Sequence, residues 1–193
     1  LINDIFLGMT LEGSIKNSIE AKLFEKDNWN LPPNIELVKP AEKALVEKLI
    51  KVGWNEEEIS DFIQNTFHEA LINAIAHGNL GVVRIETDTE TIEQIARRKQ
   101  RKHPTNKQVH VIISANKEKI TIIIHDEGKG FDPKKVPDPT LRENLFKRMG
   151  RGMLYMRTYA DSVKYGDGGR KVTLVKIRKE QEDEENNKEE NVL

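Results

Sequence analysis

Glu69, Asn73 and His77 are spaced four residues apart in the run Glu69-x-x-x-Asn73-Ala74-x-x-His77-Gly78. At about 3.6 residues per turn, that spacing puts a carboxylate, a carboxamide and an imidazole on one stripe of a helix. An asparagine oxygen is a hard, neutral ligand. It suits Mg2+, which keeps several waters and shares phosphate oxygens. A glutamate one turn earlier can take a proton from a hydroxyl or water that attacks a phosphate. The neighbours Ala70, Ala74, Ala76 and Gly78 are small and leave room for a ligand. Taken alone, the same stripe is also that of an amphipathic helix with its polar face in solvent.

A second segment, Asp126-Glu127-Gly128-Lys129-Gly130-Phe131, follows a run of β-branched residues. A carboxylate at a strand end can accept from the exocyclic amino group of adenine. Gly128 and Gly130 permit backbone conformations closed to other residues and a close approach to a ligand. The plain alternative is a tight turn after a strand, where Asp and Gly are common. Some twenty residues on, Gly150-Arg151-Gly152-Met153 opens a helix, with Lys147 and Arg148 just before it. Helix N-termini present unpaired N–H groups that phosphates occupy readily. Here the alternative is a flexible entry to a helix with its basic residues in solvent. In this order and spacing, the three segments together describe a Mg–nucleotide pocket.

The elements that must position these residues can be read from periodicity. A helix is expected from near Pro40 to about Val52, where a proline in the first turn is tolerated and Gly53 ends the run. Asn55 caps the next helix, with Glu56, Glu57 and Glu58 in a first turn that favours anions. Its apolar stripe is Ile59, Phe62, Ile63, Phe67, Ala70, Leu71 and Ala74, and Gly78 is expected to close it. Residues 86–102 read as a further helix with Ile92 and Ile95 as its apolar positions. Residues 109–113 and 120–124 form a β-branched hairpin turning near Asn116. Residues 132–149, with Pro133, Pro137 and Pro139, read as a loop. A helix follows from Gly152 to about Ala160, then a hairpin of 162–165 with 172–177. Before all of these, Ile19 to Phe24 is expected as an edge strand and Trp29-Asn30-Leu31 as a short strand that Pro32-Pro33 stops. The fold class is α+β: a two-layer sandwich with a mixed, mostly antiparallel sheet covered on one face by helices.

Composition narrows the classes. The chain has 193 residues, enough for one domain with a core; 37% are hydrophobic and 33% charged. No apolar run approaches the roughly 20 residues of a membrane span. The start, Leu1 to Leu7, has no basic region and no small-residue cleavage site, so no signal peptide is read, and without an initiator Met the sequence reads as trimmed or as part of a longer protein. There is no cysteine, which excludes thiolate metal sites and permits a reducing, cytoplasmic setting. Residues 180–193 carry net −6 within an overall −1, leaving +5 for the remainder. That acidic run has no apolar period and is expected to be disordered. The basic cluster Arg97, Arg98, Lys99, Arg101, Lys102 and His103 reads as a solvated helix end. No aromatic interleaves it, and direct nucleic-acid binding is not expected. Three divisions follow: an extension with an edge strand over 1–29, the domain over 30–179 and the acidic tail over 180–193.

The motif set resembles the GHKL ATPase superfamily of gyrase-type, chaperone-type, histidine-kinase and mismatch-repair ATPases, whose sandwich is the Bergerat fold. Glu69, Asn73, His77 and Gly78 correspond to its N box, Asp126, Gly128 and Gly130 to its first glycine box, and Gly150-Arg151-Gly152-Met153 to its second. Within the superfamily the chain is most similar to the bacterial anti-sigma-factor serine/threonine kinases. Asn73-Ala74-x-x-His77-Gly78, Gly128-Lys129-Gly130-Phe131-Asp132-Pro133 and Gly150 through Met156 carry that likeness. The resemblance implies a general base at Glu69, a Mg2+ ligand at Asn73 and an adenine contact at Asp126. It implies a nucleotide cradle of His77, Gly128, Gly130, Gly150, Gly152 and Met153, with Arg148 or Arg151 near the terminal phosphate. The ligand is then ATP or ADP with Mg2+, and the partners are a sigma factor and the antagonist protein that is phosphorylated. A homodimer is compatible with the sequence. The chain departs from a minimal kinase of this kind in an extra segment near 86–104, in extra residues before the first helix and an acidic tail, and in Gly169-Arg170-Lys171 where many relatives carry Gly-Thr. A histidine-kinase catalytic domain and a nucleotide-gated interaction module without turnover are the alternative readings.

Overall fold

The computed structural model describes residues 21–83, 90–136 and 151–179. Its strands are β1 (Asn28–Leu31), β2 (Val109–Ala115), β3 (Lys119–Asp126), β4 (Ser162–Gly166) and β5 (Lys171–Ile177). Its helices are α1 (Val38–Lys51), α2 (residues 56–79), α3 (Ile92–Lys102) and α4 (Arg151–Tyr159). The strands form one sheet in the order β1-β2-β3-β5-β4. Every pairing among the described residues is antiparallel, so the parallel component of the expected mixed sheet is not found there.

Alternation dictates the two faces of the sheet. Val109, Val111, Ile113, Ile120, Ile122, Ile124, Val172 and Leu174 point into the core and are buried. Their neighbours His110, Ile112, Ile123 and His125 lie on the other face, and Ile112 is 45% exposed. The β2–β3 turn is fixed by Asn116, whose side chain accepts from the Glu118 and Lys119 amides at 2.9 and 2.8 Å. The resulting register sets Val109 and Ile122 opposite Asp126 and Ile113 respectively.

The helix α2 lies against the buried face. Asn55 caps it through a reciprocal pair with Glu58, each bond 3.0 Å long. All seven residues of its expected apolar stripe are buried. The helix is α-helical over Glu56–Asp61 and His68–Ile72 but π-helical over Phe62–Phe67 and Asn73–Asn79. Such wide turns tend to occur where function requires an altered side-chain direction. It runs one residue past Gly78, whose expected role as terminator passes to the turn after Asn79.

The ends of the domain are pinned by aromatic residues. Trp29 packs edge-on against Phe24 and Phe67, with ring centroids 4.9 and 6.4 Å apart. Residues 21–24 are helical, not the edge strand expected over 19–24. Ala21, Lys22 and Leu23 are good helix formers. The strand expected at Trp29 is present as β1 and straddles the boundary expected at residue 30. At the far end, Arg178 stacks over Trp54 at 4.4 Å and donates to the Gly53 carbonyl at 2.7 Å.

The expected helix over 86–102 begins at Ile92 under a Thr91–Gln94 capping box. Its basic residues are partly anchored: Arg97 pairs with Glu36 at 2.5 Å, Arg98 pairs with Glu90, and Lys99 donates to the Gly81 carbonyl at 2.6 Å. Among the described residues no helix is long and apolar enough to cross a membrane.

Candidate functional site

The site is assembled along the second half of α2, from its α-helical turn at Glu69 to the end of its π-helical stretch at Asn79. At one end are Glu69 and Asn73, with the first turn of α4 close by. A Cβ placed on Gly152 would lie 2.4 Å from Glu69 Oε2 and 3.8 Å from Asn73 Nδ2. Glycine lets α4 come this near without displacing the Glu69 carboxylate. Glu69 is half-buried, and burial pushes its carboxyl above the usual range, with Glu93 of α3 adding to the shift and His68 opposing it. Neither Glu69 nor the Asn73 amide has a hydrogen-bond partner among the described residues, so both are available for chemistry.

At the other end, the last turn of α2 presses on the loop after β3. A Cβ on Gly78 would stand 2.4 Å from the Asp126 carboxyl carbon, and one on Gly128 would stand 2.3 Å from the Gly78 carbonyl oxygen. Asp126 is buried, 7% exposed, and burial raises its pKa. Its Oδ1 accepts the Gly128 amide at 2.8 Å, while Oδ2 has no donor among the described residues. That oxygen can accept from a base amino group.

The structure therefore brings together Glu69, Asn73 and Gly152 at one end and Gly78, Asp126 and Gly128 at the other, all on or against α2. His77 is placed differently from its spacing. It is exposed, and its Nδ1 bonds the Val82 carbonyl at 2.7 Å, so here it ties down the chain leaving α2. Gly130 sits at φ 72 and faces the β4–β5 turn. Met153 is partly buried against the core, and Arg151 is exposed at the start of α4. Arg148 and Gly150 lie outside the described residues, as do most of the expected 132–149 loop and the acidic tail.

Two contributions were not read from the sequence. Glu42 on α1 accepts from His68 and, at 2.7 Å, from Lys39. Burial opposes ionisation of Glu42, but these two hydrogen bonds prevail and hold its carboxyl below the usual range. The result clamps α2 to α1 one residue before Glu69. Asn79 Oδ1 accepts the Glu127 amide at 2.8 Å, and Nδ2 of the same side chain is buried with no partner among the described residues. A short polar residue on each side of a helix carries no periodic signal, so only the fold reveals these contacts.

The donor set fits a Mg–nucleotide. Among the described residues no three of His, Cys, Asp and Glu gather into a metal cage. A single asparagine oxygen beside glycine-lined backbone suits a metal whose other ligands are phosphate and water. A shallow basin of about 360 Å³ lies elsewhere, on the outer side of α3 between Gln94, Arg97, Arg98, Arg101 and Lys102. It holds no carboxylate or amide oxygen paired as Glu69 and Asn73 are, and it is no rival for this chemistry.

A helix that carries a free Glu–Asn pair, crossing an antiparallel sheet that ends in a buried Asp and a glycine turn, defines an ATP-binding α+β sandwich. Residues 31–176 match the family model of the histidine kinase-like ATPase domain, and the chain belongs to that family. It is thus a GHKL-type domain, a class that binds ATP or ADP, usually with Mg2+. No curated protein matches the chain.

Proposed function

We propose that this chain is an ATP-dependent serine/threonine protein kinase of the anti-sigma-factor type. It phosphorylates an antagonist protein in the cytoplasm and binds a sigma factor. The observation that carries the reading is Glu69: half-buried, without a hydrogen-bond partner among the described residues, raised in pKa and one turn before Asn73. A general base works best with its pKa nearer to the working pH than that of an ordinary glutamate.

Asn73 would hold Mg2+, which would neutralise charge on the β- and γ-phosphates. Asp126 Oδ2 accepts from the adenine amino group and sets the depth of the base. The backbone at Gly128 and Gly152 allows the nucleotide to lie close to the loop and to the start of α4. The acceptor hydroxyl oxygen forms its bond to the γ-phosphorus as the bond to the β–γ bridging oxygen breaks. ADP leaves with that electron pair, and the hydroxyl proton passes to Glu69. His68 and Glu42 support α2 from behind, so Glu69 is carried on a fixed backbone.

Incubation with Mg-ATP and candidate antagonist proteins tests the proposal. Acid-stable phosphoserine or phosphothreonine on the partner is expected. Acid-labile phosphohistidine would make the chain a histidine-kinase catalytic domain. ATP binding with no transfer to any partner would leave a nucleotide-gated interaction module.

A further inference from the structure

The turn between β4 and β5 is built to hold the nucleotide loop from the side opposite α2. Asp167 begins this turn at φ 49 and is the sole non-glycine residue with positive φ among the described residues. L-residues adopt that conformation at a cost, with Asp and Asn tolerating it best. The Asp167 carboxylate has two partners. Oδ1 accepts Arg170 Nη2 and Oδ2 accepts His125 Nε2, both at 2.7 Å. The Asp167 carbonyl also accepts the Arg170 side-chain and backbone donors, each at 3.2 Å.

The held turn in turn touches both ends of the loop over residues 126–131. The Asp126 amide donates to the Arg170 carbonyl at 3.0 Å, and the Phe131 amide donates to the Gly168 carbonyl at 2.9 Å. There is no slack between the two segments. A Cβ on Gly130 would stand 2.2 Å from the Gly168 oxygen, and one on Gly169 would stand 2.1 Å from the Phe131 oxygen. Outside this contact, Phe131 closes edge-on over Tyr165 with centroids 5.5 Å apart. The chain thus carries an arginine, fixed by an aspartate, directly behind the residue read as the adenine acceptor.

We propose that Asp167 is a positioning residue for nucleotide binding: joined to His125 and Arg170, it fixes the β4–β5 turn that presents Asp126 and the glycine loop. This rests on the nucleotide reading of that loop. Asp167 touches no nucleotide itself. An exposed ion pair alone is worth little. Here the pair acts by ordering a backbone that would otherwise have to be ordered when the ligand binds.

Two substitutions separate the roles of the residue. Asp167→Gly keeps access to positive φ and removes the carboxylate. Asp167→Asn keeps both the backbone tolerance and an acceptor for Arg170. Mg-ADP affinity is measured alongside amide hydrogen exchange. In Asp167→Gly, ADP affinity should fall about three- to tenfold, and the Asp126 and Phe131 amides should exchange faster while those of Ile122 and Leu174 do not change. Asp167→Asn should recover most of both effects. Unchanged ADP affinity in Asp167→Gly overturns the proposal, as does equal acceleration of the core amides, which would make the effect global. A wild-type chain that binds no ADP would instead remove the nucleotide reading itself, and the proposal with it.

Discussion

Replacing Gly152 with alanine should leave a folded protein that turns over poorly. The added Cβ would lie 2.4 Å from Glu69 Oε2 and 3.2 Å from its carboxyl carbon. An ordinary carbon–oxygen contact is about 1 Å longer than the first of these. The obstacle is the end of a flexible side chain and not backbone, so Glu69 can swing aside at small energetic cost. Alanine in place of glycine in a helix also returns roughly 0.5–1 kcal/mol of propensity. The melting temperature should therefore stay level or rise slightly. Catalysis has no such freedom, because a displacement of about 1 Å from the reacting line can reduce turnover by about 10²-fold. Calorimetric melting, Mg-ADP titration and phosphoryl transfer to the acceptor protein give the three readings. Refutation would come from turnover that holds at the wild-type rate, which would mean that the Glu69 carboxylate is not at the reacting line. A loss of ADP affinity as deep as the loss of turnover would assign Gly152 to the phosphate cradle alone.

Three further perturbations have definite outcomes. Glu69→Gln should reduce transfer by about 10²–10⁴-fold with ADP affinity nearly intact, and parallel losses in rate and affinity would make Glu69 structural. The same variant should be more stable than wild type at neutral pH. Because burial raises the folded-state pKa of Glu69 above that of an ordinary glutamate, the unfolded chain ionises first, and stability is lost as the pH rises from the unfolded to the folded pKa and stays lost above it. The stability gain should vanish as the pH falls below 4.5, and a gain that persists in acid would contradict the burial argument. Asn73→Ala should weaken ADP binding in Mg2+ but not in EDTA, so equal weakening in both would remove Asn73 as the metal ligand. Gly78→Ala should destabilise the fold by about 1–3 kcal/mol, since its Cβ meets a short, buried, hydrogen-bonded aspartate, and chemical denaturation will show whether it does.

The sequence was most informative where local chemistry and the final fold agree. The alternating β-branched residues of β2 and β3, the Asn55 cap and the buried stripe of α2 each act within a few residues, so their patterns survive folding. The places of Glu69 and Asn73 on α2 and of Asp126 at the end of β3 follow from helix and strand period, whatever their roles. The bond of His77 to the Val82 carbonyl had no signal in the sequence, because it depends on the π-helical end of α2 and the chain that leaves it. Residues 21–24 misled in another way. Ile19 and Phe24 suggested a strand, whereas the neighbouring helix formers and the Trp29 contact decide for a helical turn. The roles of Glu42, Asn79 and Asp167 depend on partners 26, 48 and 42 residues away, beyond the reach of any local pattern.

The mutual contact of Gly78, Asp126 and Gly128 has a mechanical consequence. With carbonyl and carboxyl atoms filling the space a methyl group would need on each side, α2 cannot slide over the β3 loop in either direction without a clash. The helix α2 and the loop after β3 therefore move as one block. An incoming nucleotide finds that half of its surroundings preset, whatever its phosphate count. The helix α4 meets α2 separately, near Glu69, where Gly152 lies against the carboxylate.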